Sequence, residues 1–83
     1  LPPLTEERRK EFIRLLRKKA EEARIKTRQV REDILKKVQT AVREKTARED
    51  DLRKAKEELQ KVIDEFNKKI DELVKRKEKE LLL

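Results

Sequence analysis

Residues 13–41 read IRLLRKKAEEARIKTRQVREDILKKVQTA. Within them Leu16, Ala20, Ala23, Thr27, Val30, Ile34, Val38 and Ala41 recur at spacings of three and four, and Ile13 extends the row backward. That is the period of an α-helix with one buried face over about seven turns. The second half repeats it at Leu52, Ala55, Leu59, Val62, Phe66, Ile70 and Leu73, flanked by Ile63 and Val74. The spacing predicts an all-α fold: a long antiparallel two-helix hairpin, coiled-coil-like, with helices at about 5–45 and 50–80 in a single helical domain over 1–83.

Outward from these rows, Leu1-Pro2-Pro3-Leu4 is expected to be extended, because a residue before proline is pushed out of the α region. Thr5 then offers an N-cap, with Glu6 and Glu7 placed to complement the helix dipole. Between the helices Lys45, Arg48 and Asp51 interrupt the apolar row, and Thr46-Ala47-Arg48-Glu49 reads as a capping box, so the turn is placed near 44–49. No Gly or Pro stops the first helix, which leaves open one continuous helix paired with a second copy.

Of 83 residues, 54% are charged and 34% hydrophobic, so any core is a thin seam. A hairpin covers only that seam. The remaining apolar edge is expected to be covered by association into a homo-oligomer, as a four-helix bundle, or by a third helix. With no Cys and no His, a disulfide framework, the commonest transition-metal ligands and the commonest general base are all missing. The paired acids Glu21-Glu22, Glu32-Asp33 and Glu49-Asp50-Asp51 point to different sides of a helix, and no pocket is expected to desolvate them. The expectation is therefore no enzyme, no catalytic or metal-binding residue and no cofactor. No apolar run spans a bilayer and the polar faces carry many acids, so no membrane partner is expected and a cytoplasmic location is. The chain starts at Leu1 and contains no Met, Trp or Tyr, which reads as an excised fragment or a designed sequence.

The +7 net charge is uneven: residues 1–46 hold 15 Lys/Arg and 8 Asp/Glu, whereas 47–83 hold 11 of each. Excess positive charge in one helix points to an anionic partner. At 100° per residue, Lys10, Arg14, Arg17, Arg24, Arg28 and Arg31 share one sector about 100° wide beside the apolar row. Five of these six cations are Arg, whose planar fork matches phosphate oxygens. Glu21 sits inside the same sector. Phe12 and Phe66 lie on or near the apolar rows and are expected in the core, so platforms for stacking single-stranded bases are lacking. Recognition of folded RNA through its backbone and shape is the compatible mode.

Several segments resemble the helical domain of ribosome recycling factors. The opening Leu1-Pro2-Pro3-Leu4-Thr5-Glu6-Glu7-Arg8-Arg9-Lys10 is similar to the segment that re-enters that domain. Glu22-Ala23-Arg24 and Arg28-Gln29-Val30-Arg31-Glu32-Asp33 are similar to the family's arginine-rich helix, and Lys68-Lys69-Ile70-Asp71-Glu72-Leu73 to its last helix. The resemblance implies a three-helix bundle that contacts RNA of the large ribosomal subunit and works with elongation factor G to split ribosomes after termination. Carried over by position, the RNA-contacting residues are Arg9, Arg28 and Arg31, with Arg24 nearby. Glu32 stands where the family usually has Arg, Gln29 where it has Asn, and Arg48 where it has a capping Ser. The family's first helix and β-rich second domain precede the equivalent of Leu1. An RNA-facing module that does not split ribosomes alone, and is not expected to engage elongation factor G, is the leading expectation. The competing one is a designed helical scaffold that self-associates without natural activity.

Overall fold

The computed structural model describes residues 4–82, so the extended reading of Leu1, Pro2 and Pro3 lies outside the described residues. Helix α1 spans Glu6–Arg43 and helix α2 spans Glu49–Leu82. They pack antiparallel as a rod of 64 × 16 × 15 Å. The radius of gyration is 19.0 Å, against about 12 Å for a compact domain of this length.

Helix α1 begins as the sequence predicts: Thr5 is extended and its Oγ1 accepts a hydrogen bond from the Arg8 N–H at 3.1 Å. Its end is set by Lys45, which the sequence offers only as an interruption of the apolar row. Lys45 adopts φ 64°, the left-handed region. The Thr46 N–H donates to the Ala41 carbonyl at 2.9 Å and the Lys45 N–H to that of Val42 at 3.1 Å. Together these two bonds form a Schellman motif, with lysine in the place glycine usually takes. This closure makes the chain a hairpin and not one continuous helix.

The start of α2 corrects the expected capping box. The Thr46 hydroxyl turns back to donate to the Ala41 carbonyl at 3.1 Å, and the cap falls two residues later at Arg48. The Arg48 N–H donates to Asp51 Oδ2 at 2.8 Å, which is the reciprocal half of a capping box. Arg48 has no oxygen with which to supply the other half.

The register of the hairpin is fixed by three cross-helix contacts: Arg17 with Glu78, Arg24 with Asp71, and Arg31 with Gln60. Between them runs a seam built from Ile13, Leu16, Ala20, Ala23, Thr27, Arg31, Leu35 and Val38 on α1, and Leu59, Ile63, Asn67, Ile70 and Val74 on α2. Among the described residues only Ala20 and Ile63 are buried. The seam sits one position away from part of each predicted row. Val30 and Ile34 are exposed while Arg31 and Leu35 are half-buried; Val62, Phe66 and Leu73 are exposed while Ile63, Asn67 and Val74 are covered. Phe12 and Phe66, expected in the core, are exposed as well. The physical reason is width. Each apolar stripe is broader than the strip one neighbouring helix can cover, so both helices bury one edge and turn the other toward the same side.

The hairpin is thus a slab with two unlike faces. On one, Phe12, Leu15, Val30, Ile34, Val62 and Leu73 line a run of open apolar depressions. By helical angle, Lys10, Arg14, Arg17 and Arg28 lie on the other side of the seam.

Candidate nucleic-acid interface

The residues predicted to contact RNA separate into two groups. Lys10, Arg14, Arg17 and Arg28 are exposed on α1. Lys10, Ile13, Arg14 and Arg17 border a shallow depression of about 340 Å³. Among the described residues no carboxylate lies within ion-pair distance of Lys10 or Arg14. Arg9, Arg24 and Arg31 instead lie half-buried at the seam. The shift of the seam toward the basic sector places them there. Arg9 falls on the seam side, as its helical angle predicts, and its Nε is buried with no hydrogen-bond partner.

Most of the arginines already hold an anion. Arg17 Nε donates to Glu78 Oε1 at 2.7 Å. Arg24 donates to Asp71 across the seam, and its Nη1 also donates to Glu21 Oε2 at 3.4 Å on its own helix. Arg28 Nη2 donates to Glu21 Oε1 at 3.3 Å, so one carboxylate bridges two guanidinium groups. The hydrogen bond to Glu78 raises the pKa of Arg17 above its ordinary value. That to Asp71 does the same for Arg24, against a smaller opposing effect of desolvation. Both groups remain cations at any working pH.

Arg31 is the least available. Its side chain is 28% exposed and its Nε lies 3.4 Å from Glu32 Oε1. That atom is buried and the approach lacks hydrogen-bond geometry. Nη1 donates to Gln60 at 3.5 Å. Glu32, read as a reversal of charge within the basic helix, thus lies against Arg31.

Sequence reasoning missed Asp71 and Glu78 as participants. The signal was present: they stand seven residues apart on α2, as Arg17 and Arg24 do on α1, and equal steps on antiparallel helices meet. Lys68 and Lys75, also exposed, share their helical sector and add positive charge beside them.

Among the described residues no group of three or more His, Cys, Asp or Glu is placed to hold a metal ion, and no helix is long and apolar enough to cross a membrane. The chemistry on offer is electrostatic: an ordered row of guanidinium and ammonium groups on a rigid helix.

The family profile described as Ribosome recycling factor matches residues 1–82. The chain is 39% identical over 82 residues to the ribosome-recycling factor of Chlorobium phaeovibrioides and 44% identical over 82 residues to that of Syntrophomonas wolfei. In each case the match covers 99% of this chain and 44% of the relative, so the chain spans less than half the length of these curated relatives. No solved structure matches it. The arginine-lined hairpin and a profile match over nearly its whole length agree: the chain belongs to the ribosome recycling factor family.

Proposed function

We propose that this hairpin is a helical module of the ribosome recycling factor family that binds RNA of the large ribosomal subunit through the basic face of α1. Lys10, Arg14, Arg17 and Arg28 make the primary phosphate contacts, and Arg24, Arg31 and Arg9 support them from the seam. The observation that carries this reading is the exposure of four cations along one sector of a helix stiff enough to present them as a set. Binding is its whole activity; it is a non-enzymatic module acting in the cytoplasm.

On the opposite side a second copy covers the apolar face, giving a four-helix assembly that leaves both basic faces open. The depression bordered by Phe12, Leu15, Lys19, Lys77 and Glu80 carries both signs of charge on its rim, and a self-complementary twofold contact can use both.

The direct test is binding to purified large ribosomal subunits at low salt by the chain and by the Arg14→Glu/Arg28→Glu double variant. At least a tenfold loss is expected, on the order of 1 kcal/mol or more for two reversed phosphate contacts. Equal binding, or none by the parent chain, overturns the reading and leaves a structural scaffold.

A further inference from the structure

The basic face contains its own competitor. Glu21 places one carboxylate oxygen 3.3 Å from Arg28 Nη2 and the other 3.4 Å from Arg24 Nη1. A carboxylate that bridges two guanidinium groups occupies one donor on each that a phosphate would use. On the α2 side Asp71 takes a second edge of Arg24, and Glu78 takes Nε of Arg17. With Arg31 lying against Glu32, four of the six cations in the sector pair with a carboxylate of the fold, whereas Lys10 and Arg14 do not among the described residues.

Glu21 differs from the other two acids in a useful way. Asp71 and Glu78 tie α1 to α2, so part of their role is to hold the hairpin. Glu21 lies on α1 with its partners three and seven residues along the same helix, is more than half exposed, and among the described residues forms no ion pair or hydrogen bond with α2. Holding the helices together does not account for it.

We propose that Glu21 is an intramolecular phosphate mimic that sets the affinity and salt sensitivity of the basic face, with Asp71 and Glu78 as secondary competitors. This rests on the RNA-binding reading above. A polyanion binding the face must break the two Glu21 contacts, so part of the attraction of Arg24 and Arg28 is already spent inside the protein. Removing the carboxylate charge frees both groups, strengthens binding and adds phosphate contacts, which steepens the dependence on salt.

The test is affinity for a folded ribosomal RNA fragment across a salt series for the chain, Glu21→Gln, Glu22→Gln and Arg14→Glu/Arg28→Glu. Glu22 is exposed, forms no ion pair among the described residues and faces away from the sector, so its substitution changes net charge equally without freeing an arginine. Glu21→Gln is expected to bind about threefold to tenfold more tightly at low salt, with a slope steeper by about one contact, and Glu22→Gln less than about twofold more tightly. Equal effects of Glu21→Gln and Glu22→Gln would overturn the inference while leaving the RNA-binding reading intact. Loss of any difference between the chain and the arginine double variant would instead remove the reading itself. Circular dichroism of each variant confirms that helix content is unchanged and that the comparison concerns binding.

Discussion

Arg24 reaches across the seam to Asp71, and Arg17 repeats the reach to Glu78 seven residues earlier on α1 and seven later on α2. These pairs place an electrostatic hinge-line along the border of the apolar seam and set the helix register on the basic side. Each joins one exposed and one half-buried side chain, a solvent-screened setting in which an ion pair adds little to stability, so the packing beneath them must carry the fold.

That packing gives the first expectation, from two adjacent residues of α2. Ile63 is 5% exposed and Val62 59% exposed. Ile63→Ala should lower unfolding free energy by about 2–4 kcal/mol, and Val62→Ala by less than about 1 kcal/mol in the dissociated chain. Urea titration at low protein concentration checks this; the reverse order would restore the register read from the sequence.

The helix end at Lys45 offers a gain. A non-glycine residue in the left-handed region costs roughly 1 kcal/mol, and glycine adopts it freely. Lys45→Gly should therefore raise the thermal midpoint, equivalent to about 1 kcal/mol less its unfolded-state entropy cost. A lower midpoint would show that the Schellman closure is not what ends α1.

Arg31 is expected to separate stability from binding. Its buried Nε lacks a hydrogen-bond partner within a half-buried seam position. Arg31→Leu should stabilise the hairpin by about 1 kcal/mol, because an unsatisfied buried polar atom is replaced by apolar contact. RNA affinity should fall modestly, as the residue contributes from the seam. Paired denaturation and binding curves measure both quantities.

The open apolar face predicts association. Sedimentation equilibrium at micromolar concentration should return a dimer or larger species, and Val30→Lys/Phe66→Lys should return a monomer with its basic face intact. A monomeric parent chain would contradict the proposal that a second copy covers Val30, Ile34, Val62 and Phe66.

Much of this was legible in the sequence. The three-and-four rows gave two helices, and Thr5 with Glu6 and Glu7 gave the start of the first. The angles of Lys10, Arg14, Arg17 and Arg28 gave an exposed cationic sector. What the rows could not resolve was which edge of a broad stripe a single neighbour covers. Choosing between Val30 and Arg31, or between Phe66 and Asn67, depends on the rotation of both helices about their axes, and that is set by the pair jointly. For the same reason Arg24 and Arg31 moved from the free surface to the seam. The turn fell where it was read, near 44–49, but the cap of α2 lies two residues later than the expected capping box because the Thr46 hydroxyl is taken by the Ala41 carbonyl.

The most direct measurement of the central claim is the slope of log affinity against log salt for binding to large-subunit ribosomal RNA. With four cations contacting phosphate, the slope should be near −3 and affinity should fall about fifty-fold to hundredfold between 50 and 200 mM salt. A slope indistinguishable from zero, or one unchanged in Arg14→Glu/Arg28→Glu, would contradict the assignment of this face to RNA.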